Sequence, residues 1–172
     1  MLTHEKAAIL RELATGRDAL LEAVRGLSED LAGISPALGR WSVVECVEHL
    51  AVSEDFLLTQ ITQAKHSGTP VVNAKREAVI LARGANRTTP LISPEEGRPL
   101  GRAATLAKAV ESFLAARERT VRLVETCGDD LRSMAMKHPL LGTINCYEAL
   151  LLIAVHPLRH AGQIREIRGA GL

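Results

Sequence analysis

Apolar residues recur at helical spacing in four long stretches of this chain, and that pattern limits its fold more than any other feature. Ala7, Leu10, Leu13, Leu20, Leu21, Val24 and Leu27 mark a first helix that begins after Thr3, a candidate N-cap. Gly16 weakens that helix locally without ending it. Val43, Val47, Leu50, Leu57 and Ile61 form a second stripe, widened by Cys46, Phe56 and Leu58. Leu106, Val110, Phe113, Leu114, Val121 and Val124 define a third helix over about residues 102–127, with Gly128 placed as its C′ residue. The fourth runs from Asn145 to about Arg168. The side chains agree with this pattern: 47% are hydrophobic but only 2% aromatic, so Leu, Ala, Val and Ile must fill the interior, as in packed helices. The expectation is an all-α fold in one domain, residues 1–172, long enough to bury a sizeable core.

Two helix starts carry their own signals. Ser42-Val43-Val44-Glu45 is a capping box, in which the serine accepts from the amide of Glu45 and Glu45 reaches back to the amide of Ser42. Trp41 and Cys46 are placed to form the hydrophobic staple beside it. Asn145 and Glu148 repeat the arrangement at the last helix. The second helix should end near His66, because Ser67-Gly68-Thr69-Pro70 follows. Residues 28–40 read as a connector. Residues 68–102 read as a long excursion punctuated by Gly84, Asn86, Pro90, Pro94, Gly97, Pro99 and Gly101, with a short helix over residues 74–83. An excursion of this length is often a lid or a mobile segment. Residues 128–144 form another connector, extended near residues 133–138.

Several function classes lose their usual support. A net charge of +1, with Lys and Arg interspersed among Asp and Glu, gives no electrostatic case for nucleic acid. No N-terminal segment has the pattern of a cleaved leader, and no apolar run reaches the ~18 residues of a membrane span, so a cytoplasmic protein without membrane partners is expected. Cys46, Cys127 and Cys146 are odd in number and lack Cys-x-x-Cys spacing, which reads as buried free thiols. Phosphate-binding and dinucleotide glycine loops, the Gly-x-Ser-x-Gly elbow and His-Glu-x-x-His are all absent.

The chemistry concentrates in His156-Pro157-Leu158-Arg159-His160. Histidines four apart on a helix share one face, about 6 Å apart along the axis, and can reach one ion. His49 borders the apolar stripe of the second helix. Three imidazoles from two helices supply three corners of a tetrahedron and leave the fourth for water, whereas closed structural sites usually have four protein ligands. The reading is a three-histidine divalent metal site, with zinc or nickel as the ion. Glu45, one turn before His49, is a candidate general base. Cys46, His138 and Gln163 are candidate pocket-lining residues. Pro157 removes a backbone donor and crowds the carbonyl of Ile153, which predicts a kink beside the ligands.

Trp41-Ser42-x-x-Glu45-x-x-x-His49-Leu50, His138-Pro139-x-x-Gly142, Glu148 and His156-x-x-Arg159-His160-x-x-Gln163-Ile164 together resemble the DinB-like superfamily in order and spacing, from about residue 3 to residue 168. Pro157 departs from that pattern. The resemblance implies a four-helix bundle with a long crossover, a divalent metal held by His49, His156 and His160, and a homodimer. The superfamily includes thiol-dependent transferases using low-molecular-weight thiols such as bacillithiol or mycothiol, and a mycothiol-dependent isomerase. Its name refers to induction by DNA damage and implies no DNA contact. The expectation is a metal-dependent enzyme that activates a thiol or water against a small electrophile, as a thiol S-transferase or hydrolase would. The alternative is a non-catalytic, stress-associated helical dimer that binds a metal or ligand.

Overall fold

The computed structural model describes residues 1–69, 71–88 and 91–169. Pro70 and Pro90, read above as loop punctuation, lie outside them. Six helices and three short strands follow one another as α1 (Thr3–Val24), α2 (Glu29–Gly33), α3 (Val43–Gln63), β1 (Lys65–His66), α4 (Ala74–Ala85), α5 (Leu106–Thr126), β2 (Met134–His138), β3 (Gly142–Asn145) and α6 (Cys146–Gly169). The four long helices α1, α3, α5 and α6 make the bundle: α1 packs on α5 and α6, and α3 packs on the same two from the other side.

The helix starts depend on local hydrogen bonds. At α3 both halves of the capping box form, with Glu45 N–H donating to Ser42 Oγ (3.2 Å) and Ser42 N–H donating to Glu45 Oε2 (2.7 Å). At α6 the Asn145 and Glu148 pair does the same at 2.9 and 2.8 Å, immediately after β3. α1 departs from expectation. Thr3 lies inside the helix, and Glu5 Oε2 accepts from the amide of Leu2 instead (2.9 Å). α1 stops at Val24 because Gly26 follows with φ 69°, a left-handed turn that a Cβ would disfavour. α3 stops at Gln63, short of His66, because Lys65 and His66 pair with Met134 and Ala135 as β1. At the end of α5, Cys127 N–H donates to the carbonyl of Leu123 (2.8 Å) and Gly128 does not take a positive φ.

The small sheet runs β1-β2-β3, all antiparallel, and its β2–β3 hairpin pairs His138 with Gly142. Sequence reading gave only β2. The long excursion contains α4, which lies along α6. Gly84 lets the two helices close to a distance at which a Cβ would collide with Val155. Arg76 grips the fully buried Glu148 with two hydrogen bonds of 2.5 and 2.7 Å. Arg87 does the same to Glu166 farther along (2.7 and 2.8 Å).

The apolar interior falls into two clusters. One gathers Ile9, Leu13, Leu57, Ile61, Leu131, Ile144, Leu150 and Ile153, and the other Leu20, Val43, Val47, Leu50, Phe113, Ala161 and Ile164. Between them in sequence, three of the bundle helices contribute buried polar side chains: Ser53 and Glu54 from α3, Arg117 and Thr120 from α5, and His160 from α6. α1 contributes Gly16 at this level. A Cβ there would strike the carbonyl oxygen of Ala154 and lie 3.5 Å from Cδ of Pro157. Because the first obstacle is backbone, Gly16→Ala is expected to force α1 away from α6 and lower stability by about 1–3 kcal/mol, the usual cost of overpacking. Urea unfolding monitored by circular dichroism measures it. A midpoint equal to wild type would show that the helices are not held this close.

Candidate metal centre

Three imidazoles meet where α3 faces α6. Nε2 of His156 lies 3.2 Å from Nε2 of His49 and 3.0 Å from Nε2 of His160, and ligating atoms of all three lie within 4.8 Å of one another. The rings stand edge to face, with centroids 4.7–4.9 Å apart. α6 runs unbroken through Pro157, so His156 and His160 keep their one-turn spacing. His49 reaches them because the α3 stripe turns it inward, where it is 4% exposed.

The surroundings hold one ring in a defined tautomer. Nδ1–H of His49 donates to the carbonyl of Gly97, which leaves Nε2 as the free lone pair facing the other histidines. Ser53 Oγ lies 3.2 Å from the same nitrogen. Gly97 sits in the excursion at the end of a 3-10 turn, Glu95–Gly97, that packs on α3. A Cβ on it would crowd the hydroxyls of Ser53 and Ser93, which would have to turn aside. The next residues are anchored by Glu48, whose buried carboxylate accepts from the amides of Gly101, Arg102 and Ala103 at 2.7–3.3 Å. Trp41 lies against the group, its ring 4.7 Å from that of His49 and 6.3 Å from that of His160.

Electrostatics favour neutral imidazoles. Burial pushes His49 down from the ordinary histidine range, partly offset by its hydrogen bond to Gly97. His156 and His160 are pushed much lower, first by burial and then by the positive charges of neighbouring histidines and Arg159. His156 keeps some accessible surface, but protein surrounds its ring nitrogens closely enough that desolvation dominates. Nδ1 of His160 is buried without a hydrogen-bond partner.

Neutral imidazole is the form that binds metal. Three nitrogens about 2.0–2.1 Å from a tetrahedral zinc would be about 3.3 Å apart. The 3.0 and 3.2 Å separations come close to that, so the residues fit one ion and leave part of its coordination sphere to a non-protein ligand.

The other sequence candidates lie around this group with separate duties. Glu45 is committed to its capping box. Cys46 is completely buried, and burial pushes its thiol up to about 12, so it stays protonated at neutral pH. His138, pushed down by burial, accepts the amides of Leu140 and Leu141 in the hairpin turn. Gln163 Oε1 accepts from Arg87 (3.3 Å), which lies just past the end of α4. Arg159 donates to the carbonyl of Asn86. Of the three cysteines, Cys46 and Cys146 are buried and Cys127 is half-buried, and all are free. Sequence reading missed Gly97, Ser53 and Glu48. Ser53, four residues after His49 on the same helix face, was within reach of a spacing argument; the other two depend on where the excursion docks.

Among the described residues, no helix is long and apolar enough to cross a membrane. No curated protein matches the chain. A solved structure, YfiT from Bacillus subtilis, is similar over 99% of this chain and 90% of its own, with a TM-score of 0.62 and 18% identity. It is described as a probable metal-dependent hydrolase with an unusual four-helix bundle topology. At that identity the likeness speaks for the fold, in agreement with the four long helices found here. The model of the DinB superfamily matches residues 12–164, most of the chain, and this protein therefore belongs to the DinB superfamily.

Proposed function

We propose that His49, His156 and His160 hold one divalent metal ion, zinc or nickel, in an enzyme that activates water or a low-molecular-weight thiol against a small electrophile. The observation that carries this reading is the convergence of three Nε2 atoms, with the tautomer of His49 set by Gly97. The family membership and the description of YfiT as metal-dependent point the same way. An ion bound here supplies a Lewis acid that lowers the pKa of a water or thiol beside it. The chain's own part is to present three neutral imidazoles, fix one of them through Gly97 and shield the group with Trp41. Glu45 is engaged in its cap and Cys46 is held protonated, so the nucleophile comes from outside the chain, as water or a thiol cosubstrate.

Trp41 is the chain's only tryptophan, and it lies against His49. Protein purified without an affinity tag should carry one divalent metal per chain by elemental analysis. Refilling stripped protein with cobalt should quench tryptophan fluorescence up to one equivalent and stop there. Adding a low-molecular-weight thiol should then shift the visible cobalt bands. Absence of stoichiometric metal together with unquenched fluorescence would defeat the metal centre. Cobalt bands indifferent to thiol and to small anions would defeat the enzyme reading and favour a closed, structural ion.

A further inference from the structure

Pro157 leaves a hydrogen-bond debt beside the metal centre. It has no amide to give the carbonyl of Ile153, and its ring crowds that carbonyl. A buried guanidinium meets it. Nη2 of Arg117, on α5, donates to the carbonyl of Ile153 at 3.1 Å. Nη1 donates to the carbonyl of Leu13 on α1 at 3.3 Å, and the group pairs with Glu54 of α3 at 2.9 Å. Thr120 completes the arrangement by donating to the other oxygen of Glu54 (2.7 Å). One side chain, 3% exposed, therefore ties all four bundle helices together at the turn that precedes His156 and His160. Ile153 lies three residues before His156 and seven before His160, on the same face of α6. The path of the helix at Ile153 thus determines where both imidazoles point.

We propose that Arg117 is a positioning residue for the metal centre: it replaces the backbone donor that Pro157 lacks and so holds α6 on the path that aims His156 and His160 at His49. The inference rests on the metal-centre reading above. It makes Arg117 and Pro157 a coupled pair. With proline at 157, the ladder needs the guanidinium; with alanine, the amide of residue 157 serves Ile153 and the metal centre no longer depends on Arg117.

Cobalt affinity, the visible cobalt spectrum and far-ultraviolet circular dichroism, measured in a double-mutant cycle, test it. Arg117→Met is combined with Glu54→Gln so that no unpaired charge stays buried. In the proline background this pair is expected to weaken cobalt binding by about tenfold or more, the usual loss for a group that orients metal ligands, and to alter the cobalt bands while the helical signal persists. In the Pro157→Ala background the same pair should change affinity less than threefold. Equal losses in both backgrounds, or unchanged affinity in both, would overturn the inference. If the double replacement does not fold, Arg117→Lys decides the matter in the same cycle, because an ammonium keeps the charge opposite Glu54 but offers its donors from one nitrogen, where the guanidinium uses two to reach Leu13 and Ile153. Wild-type protein that fails to bind cobalt would overturn the metal centre itself. Wild-type binding without coupling overturns only the role of Arg117.

Discussion

Replacing His156 with alanine is expected to abolish stoichiometric metal binding and leave a folded bundle. His156 is the middle member of the group, in contact with both other histidines, whereas the nearest ligand atoms of His49 and His160 are tied together chiefly through it. Two remaining imidazoles on different helices give a weak, open pair. The fold tolerates the change because His156 is only half-buried and makes no hydrogen bond to the backbone of another element among those described.

The sign of the stability change follows from the same geometry. Nδ1–H of His49 is committed to Gly97, so its Nε2 has only a lone pair to offer. Nε2 of His156 faces that lone pair and Nε2 of His160 as well, and a single proton on it can satisfy only one of them. Without an ion the cluster holds an unresolved polar contact; a cation resolves it. Metal at a hundredfold over its dissociation constant should therefore stabilise the wild type by about 2.7 kcal/mol, or about 5–10 °C in Tm for a chain this long. The His156→Ala variant should gain nothing from added metal. Scanning calorimetry with and without chelator measures both. A variant that retains one metal per chain, or whose Tm still rises with metal, would remove His156 from the centre.

How much of this was legible beforehand differs from residue to residue. The three histidines could be read because their signals are local: two share a face by spacing, and the third borders an apolar stripe behind a capping box that the structure reproduces bond for bond. The four long helices were legible for the same reason. The two-residue β1 and four-residue β3 were not, since neither is long enough to show a period of two, and β1 forms only because β2 pairs with it. Glu48 was hidden because its role is to receive three amides more than fifty residues away. Arg117 was hidden by its residue type. The periodicity of α5 is carried by Leu, Val and Phe, and an arginine within it counts as a surface residue until its buried partners are known. Leu114, by contrast, was counted into the stripe and is 36% exposed.

Arg117 also carries the largest single-residue stability effect expected here. Arg117→Met alone removes the cation and leaves Glu54, 4% exposed, with the hydroxyl of Thr120 as its remaining partner. Breaking a buried pair from one side costs about 3–5 kcal/mol, because the surviving charge is neither hydrated nor paired. The loss should depend on pH. Burial already pushes the Glu54 carboxyl above the ordinary range, with the charge of Arg117 as the main influence pulling it back. Without Arg117 it rises further. A carboxyl whose pKa is higher folded than unfolded binds more protons in the folded state, so stability returns as the pH falls through its folded value toward the ordinary carboxyl range near about 4.3. Urea unfolding should find Arg117→Met far less stable than wild type at pH 7 and closer to it at pH 5. Adding Glu54→Gln should recover part of the loss at pH 7 and remove most of the pH dependence, because no buried carboxyl is left to titrate. An equal deficit at both pH values would mean that the contacts of Arg117 with Ile153 and Leu13, rather than its charge opposite Glu54, account for the loss.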